Sequence, residues 1–300
     1  MATSSPTGSD SVLHNCDMVR HPLDRPIDVT ERSGVLGPAN LSLFDARWFT
    51  PAQSVRDVVD TYWSVEWNLP DGTDIDQQVL EFPAVTLSIE SGSVPAPFML
   101  TNVQRRAWSR TIRGTGRVFG IRLRPAGLAV LSDLDPSNVE QEQPVTAELD
   151  AVLTRHLTTI AAETSPSDRA ERADRLIEDL LQKHPITESR LLANAVVDDL
   201  AESVRSRTGP ALAHRLGVSE RAIQRALKET LGMGPKAIVR RIRLQEVVRR
   251  LSLPDADVSA IAAALDYTDQ AHLIRDFKGV AGITPGQYLR AMPSGGEAEG

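Results

Sequence analysis

The chain has 300 residues, 41% of them hydrophobic and 4% aromatic, with one cysteine and a formal net charge of -7. That length admits about two domains, and the lone Cys16 excludes an internal disulfide and gives no sign of an oxidising compartment. No apolar run approaches the roughly 20 residues that cross a bilayer. The opening MATSSPTGSDSVLHN lacks the basic start and apolar stretch of a signal peptide, so a soluble cytoplasmic protein with no membrane partner is expected.

Residues 1–40 are rich in Ser, Pro, Gly and Asp and read as a disordered lead-in. From 41 to 145 the pattern alternates, as strands do. YWSVEWN places Trp63, Val65 and Trp67 on one face, AVTLSIE does so with Val85, Leu87 and Ile89, and RVFGIRLR with Phe119, Ile121 and Leu123. Turn signals (LPDGTD, ESGS, RGTG) separate these runs, and a helix is expected over 52–60. The result is a small β-rich domain. Trp63, Trp67, Trp108 and Phe119 are either plain core or the lining of a ligand pocket. Arg122 and Arg124 meet either an acidic ligand or surface carboxylates.

The period turns helical over 146–204. TAELDAVLTRHLTTIAA, SDRAERADRLIEDLLQK and TESRLLANAVVDDLAES each open on a Ser or Thr suited to an N-cap. Glu148, Glu171 and Glu188 lie in their early turns, where negative charge suits the helix dipole. This stretch reads as a connector, and it is also a place for a homodimer contact. Residues 205–291 read as all helix and turn, with 292–300 as a tail. Between 205 and 290 there are 15 Lys and Arg against 8 Asp and Glu, a net +7 on a chain whose remainder carries -14. A basic module on an acidic chain is either a footprint for a polyanion or a solvated arginine-rich surface.

Within that module one unit occurs twice. LGVSERAIQRALKETLGMGP at 216–235 is matched by LDYTDQAHLIRDFKGVAGITP at 265–285. Leu216 falls on Leu265 and Ser219 on Thr268. After one inserted residue, Arg225, Leu227, Lys228, Gly232 and Pro235 fall on Arg275, Phe277, Lys278, Gly282 and Pro285. In the first copy, GPALAHRLG forms a short helix that Gly217 ends, Val218 fills the gap, and Ser219 caps the next helix. Ile223 and Leu227 then face inward, leaving Arg221, Gln224, Arg225 and Lys228 outward. In the second copy Ile261, Ala262 and Leu265 line the first helix, Asp266 takes the glycine's place, and Thr268 caps the next helix. There Leu273 and Phe277 point in and Gln270, Ala271, Ile274, Arg275 and Lys278 point out. Between the copies, GPKAIVRRIRLQEVVRRL is a helix whose Lys236, Arg240, Arg241 and Arg243 are expected on a solvated face. Two short helices joined by a tight turn, the second with a cationic outer face, suit the major groove of duplex DNA.

RLQEVVRRL, IAAALDYTDQAHLIRDFK and GITPGQYLR together resemble the AraC/XylS-type transcription regulators over about residues 200–291. VDTYWSVEWNLPDG, EFPAVTLSI and FGIRLRPAG are similar to an uncharacterised β-rich N-terminal domain found in a subgroup of them. The resemblance implies a C-terminal domain with two helix-turn-helices on a shared long helix. It implies that Arg221, Gln224 and Arg225 in the first unit, and Gln270, Ala271 and Arg275 in the second, read bases in successive major grooves. It further implies a small-molecule effector, and RNA polymerase as a partner if the protein activates. Side-chain chemistry fits, since arginine can grip guanine and glutamine adenine through two hydrogen bonds each. Lys228 and Lys278, further along, suit phosphates. His272 either touches DNA or caps a neighbouring carbonyl.

No metal-ligand spacing occurs among the six histidines, and the chain shows no phosphate loop, nucleophile elbow or dinucleotide fingerprint. No cofactor and no catalytic residue is expected. The expected fold is α+β: a β-rich sensor-like domain, a helical connector and an all-α domain with two helix-turn-helix units. The expected function is sequence-specific DNA-binding regulation of transcription. An enzyme with an appended DNA module, or a helix-turn-helix module that binds protein, are the competing readings.

Overall fold

The computed structural model describes residues 24–26, 34–202 and 210–292; Cys16 lies outside them. In chain order its first strands are β1 (Arg25–Pro26), β2 (Phe44–Phe49), β3 (Val59–Asn68), β4 (Asp74–Val79), β5 (Thr86–Gly92), β6 (Phe98–Thr101), β7 (Trp108–Arg113) and β8 (Thr115–Leu123). After the single turn α1 (Leu128–Leu131) and strand β9 (Glu142–Pro144), the chain is helical: α2 (Ala147–Ala161), α3 (Pro166–Lys183) and α4 (Glu188–Glu202). Then come α5 (Pro210–Arg215), α6 (Glu220–Leu231), α7 (Pro235–Leu251), α8 (Val258–Ala264), α9 (Gln270–Ala281) and α10 (Pro285–Ala291). The fold is α+β, as the change of period along the sequence implies.

Seven strands form an antiparallel sheet in the order β1-β2-β3-β8-β5-β6-β9, and β4 and β7 pair as a separate ribbon. Strand alternation sends Leu87, Ile89, Phe119, Ile121 and Leu123 to one face of the sheet, where they pack on Leu153 and Leu157 of α2 and Ile177 of α3. The opposite face, with Trp63, Val65 and Trp67, looks across a cavity towards the β4–β7 ribbon. Phe119 therefore belongs to the helix-covered core, stacked on Tyr62 with ring centroids 5.8 Å apart.

Four sequence expectations are corrected. The helix expected over 52–60 is only a 3-10 turn at Gln53–Val55, and β3 has begun by Val59. The β-branched pair Val58–Val59 favours the strand, while Asp174 of α3 holds the turn by accepting from the Ala52 N–H (3.0 Å) and the Tyr62 hydroxyl (2.7 Å). Residues 34–40, expected in a disordered lead-in, are ordered: the Leu36 N–H donates to Gln78 and the Leu80 N–H to Gly34, and Leu36 is 4% exposed. Helix α3 is capped by Ser165, followed by Pro166, not by Ser167. The linking helix is solvated at Lys236 and Arg240, as expected, but not at Arg241 or Arg243. Arg240 pairs with Asp276 (2.6 Å), the Arg243 guanidinium lies 5.4 Å from the Tyr267 ring centre, and Arg241 is 4% exposed; Lys236 is exposed.

The three helices after the sheet divide their loyalties. α2 and α3 close the β domain, but α4 places Ala193, Val196 and Leu200 in a core with Leu212, Ile223, Leu227 and Ile238. Asn194 ties α4 back to the β domain, donating to the Asp57 carbonyl (2.9 Å) and accepting from the Ala126 N–H (3.0 Å). Arg124 pairs with Asp198 of α4 at 2.5 Å, so it meets a carboxylate and not the cavity.

Arg241 is the second tie. It donates to the backbone carbonyls of Glu81 (2.8 Å) and Arg106 (2.9 Å) from inside the protein, and its burial lowers its pKa to about 10. Hydrogen bonds from a buried charge are worth about 1.5–3 kcal/mol each. Arg241→Met keeps the packing volume and loses both, so a loss of about 3 kcal/mol is expected, read as a lowered urea midpoint.

Candidate functional site: a nucleic-acid interface

The two repeated units fold alike down to single hydrogen bonds. In the first, the Val218 N–H donates to Ala213; in the second, the Tyr267 N–H donates to Ala262, both at 3.0 Å. Gly217 sits at φ +64° and Asp266 at +59°, so the second turn puts aspartate in the left-handed region where the first uses glycine. The next helix is capped by Ser219, accepting from the Ala222 N–H, and by Asp269, accepting from the His272 N–H at 2.6 Å. Asp269 and not Thr268 is thus the second cap. The extra residue of the second copy is Thr268 itself, placed before the cap, and from the cap onward the two units run at a constant offset.

Both second helices end in the same way. Gly232 (φ +66°) and Gly282 (φ +78°) return their N–H to Lys228 and Lys278, and Pro235 and Pro285 open the following helices. Inside, α6 buries Ile223, Ala226, Leu227 and Leu231, and α9 buries Leu273, Phe277, Val280 and Ala281. The outward face of α6 carries Arg221, Gln224, Arg225 and Lys228, all exposed; that of α9 carries Gln270, Ala271, Arg275 and Lys278, likewise exposed, with Ile274 half-buried.

No described acid forms an ion pair with these cations. Asp276 is taken by Arg240 and by the Tyr267 hydroxyl, and Glu229 accepts from Ser189. Arg221, Arg225 and Arg275 form no ion pair with any described residue. Gln270 accepts from the Ser259 hydroxyl (3.1 Å). His272, exposed, sets its ring edge-on to Tyr267 with centroids 5.3 Å apart, which gives it a packing role at the turn.

One end of α6 is less open. Arg225 and Lys228 line a cleft shared with Asp133 and Asp135 of the segment after α1, and Lys228 also donates to the Gly232 carbonyl (3.1 Å). The Asp135 carboxyl is held below the usual range by Ser137, with Lys228 adding to the effect.

The second site is the cavity of about 540 Å³ between the large sheet and the β4–β7 ribbon. Trp63, Trp67 and Trp108 line it, as one of the two sequence readings had it, and Phe119 does not; Arg122 lines it too but pairs with Asp60 (2.5 Å), a carboxylate as its other reading had it, and Arg124 is outside it. Trp63 and Trp67 lie against Gly120 and Gly116 of β8, where an added Cβ would come within 2.1 and 2.3 Å of the indoles. Sequence reading missed Trp48, Glu81, Glu90, Arg110, Glu142 and Gln245, all of which line it. Glu81 carried a usable signal, a carboxylate within the apolar run VLEF. Arg110 bridging Glu90 (2.8 Å) and Glu142 (2.5 Å) is a long-range pairing that the sequence does not advertise.

Parts of the chain resemble known proteins. Residues 212–291 match a family model described as a helix-turn-helix domain, and residues 47–143 match a domain of unknown function (DUF6597). A Streptomyces antibioticus protein named as an AraC-like transcription regulator is 31% identical over 100 residues, 33% of each chain. The HTH-type transcriptional activator RhaS of Pectobacterium carotovorum is 36% identical over 67 residues, 22% of this chain and 24% of that one. The chain thus spans a third or less of the length of these curated relatives. Among solved structures, ToxT from Vibrio cholerae aligns with a TM-score of 0.44 and 12% identity, covering 78% of this chain and 99% of that one.

Two outcomes test the local physics. Asp269→Ala should cost about 1 kcal/mol of stability while Thr268→Ala costs little, because only the former removes a cap. Burial lifts the Glu81 carboxyl to about 7, against opposing pull from Arg241, Arg122 and Arg110 and reinforcement from Glu142. A carboxyl whose folded pKa is raised favours the folded state fully below its ordinary value near 4.5 and loses that contribution as pH rises through about 7. Glu81→Gln should therefore melt progressively higher than the parent protein between those two pH values, with the difference level on either side.

Proposed function

We propose that this chain, which carries an AraC-type helix-turn-helix domain behind a β-rich domain, is a sequence-specific DNA-binding regulator of transcription. The observation that carries this reading is the pair of equivalent helices, α6 and α9, each with an exposed polar and cationic face with which no described carboxylate forms an ion pair. Such helices seat in consecutive major grooves about 34 Å apart on one side of the duplex. Arg221, Gln224 and Arg225 would read base edges from the first, Gln270, Ala271 and Arg275 from the second. Guanine offers O6 and N7 to arginine, adenine N6 and N7 to glutamine, and Ala271 offers a thymine methyl an apolar contact. Lys228 and Lys278 would hold phosphates. His272 would serve the turn more than the DNA.

The β domain would act as the sensor. Its cavity is roofed in part by Gln245, a residue of the helix that spaces the two units, so a small molecule there touches the DNA-binding half directly. RNA polymerase is the further partner if the effect is activation.

Fluorescence anisotropy against the DNA upstream of its own gene, with a scrambled duplex as control and a salt series, tests the reading. Preference for the upstream DNA and affinity falling steeply with salt are expected. Arg225→Ala should cost about 1–3 kcal/mol at the preferred site and relax choice at one base pair, whereas Lys228→Ala should weaken all sequences alike. Salt-independent binding, or indifference to both substitutions, would overturn it.

A further inference from the structure

All four tryptophans of the chain, Trp48, Trp63, Trp67 and Trp108, line the one cavity described above. A fold using aromatic residues only to fill a core would seal them in. Here three of the four remain partly exposed, and Gly116 and Gly120 leave the room that two of the rings occupy. About 540 Å³ is the size of a small-ligand pocket and not of a packing defect.

Charge in the lining selects among ligands. Arg110 stands between two carboxylates, Glu90 and Glu142, and this trio keeps one negative charge. Arg122 is neutralised by Asp60 at 2.5 Å, with its guanidinium 5.4 Å from the Trp48 ring centre. Arg25 is at the exposed end of the lining. Glu81 is different: no hydrogen bond or ion pair reaches its carboxylate from any described residue, and Arg241, the nearest opposing charge, is spent on backbone carbonyls and is not part of the lining. The interior therefore joins aromatic faces, which attract cations through their quadrupoles, to a carboxylate, Glu81, that no described residue pairs or hydrogen-bonds and that Arg241, Arg122 and Arg110 reach through Coulomb attraction alone.

We propose that the cavity binds an organic cation built on a few aromatic rings, held between tryptophan faces with its positive centre at Glu81, and that Gln245 passes its presence to α7. Burial raises the Glu81 pKa against the pull of three arginines, and a cation bound beside it would pull it down as well. Gln245 is the single lining residue from the helical half among the described residues, and it stands one helical turn beyond the buried Arg241. Only this second step rests on the chain being a DNA-binding regulator.

The two steps fail separately in one pair of experiments on the full chain. Calorimetric titration without DNA compares (2-naphthylmethyl)trimethylammonium with 2-naphthylacetate, which matches its ring system and opposes its charge. The cation is expected to bind at least tenfold more tightly than the anion. Glu81→Gln should lose most of that preference while melting no lower than the parent at pH 7.5. Equal or tighter binding of the anion, an unaltered preference in Glu81→Gln, or no uptake of the cation at millimolar concentration would overturn the ligand class. The second experiment repeats the titration of the upstream duplex with and without the cation. A shift of at least threefold in the parent, lost in Gln245→Ala at a cation concentration that calorimetry shows to saturate that variant, is the expected result. A cation that binds but leaves the duplex midpoint unmoved would overturn the coupling alone. Absence of any duplex binding would overturn the regulator reading while the calorimetric result stands.

Discussion

One helix, α7, belongs to three packed regions at once, and the rest of the molecule is arranged around that constraint. Its first turns put Ile238 and Ile242 into the core of the first unit; its later turns put Leu244, Val247, Val248 and Leu251 into the core of the second. Between them Arg241 pins the helix to the β domain through two backbone carbonyls, and Leu36 and Leu80 of that domain pack into the second core beside Leu244. Packed interiors transmit displacement because they are dense. A small rotation of α7 must therefore be felt by both recognition helices and by the cavity wall, and neither unit can be moved against the sheet without disturbing it.

The two units reach one geometry by different chemistry. Glycine makes the first turn and aspartate the second; a valine fills the first gap, while in the second Tyr267 fills it and gathers His272, Asp276 and Arg243 around its ring and hydroxyl. The second unit is thus tied by polar contacts that the first lacks, and its outward face is poorer in hydrogen-bonding groups, with Ala271 and Ile274 where the first has Arg221 and Gln224. Specificity would then rest more on α6, whose far end is also the one that shares a cleft with Asp133 and Asp135.

What the sequence made legible follows from period and local chemistry. The outward positions of α6 and α9 come directly from helical spacing, and the glycine and proline pairs mark ends that only those residues favour. Strand alternation likewise placed Trp63, Val65 and Trp67 together. The failures share a different cause. Thr268 and Asp269 are both competent caps, and an alignment cannot choose between them; the carboxylate that reaches the His272 N–H decides. Arg241 looks like its neighbours in RRIR, and only its phase on α7 and the two carbonyls that meet it make it a core residue. Asp174 shaping a turn 122 residues earlier in the chain, and Arg110 joining Glu90 to Glu142, are pairings between distant segments that no local pattern records.

On the proposed reading, one chain presses two recognition helices into successive major grooves. Hydroxyl-radical footprinting of the full chain on the duplex upstream of its own gene tests it most directly. Two protected stretches on one face of the DNA, their centres about one helical turn apart, are expected from a single bound chain. One protected stretch, or two that emerge only as separate chains bind, would contradict it.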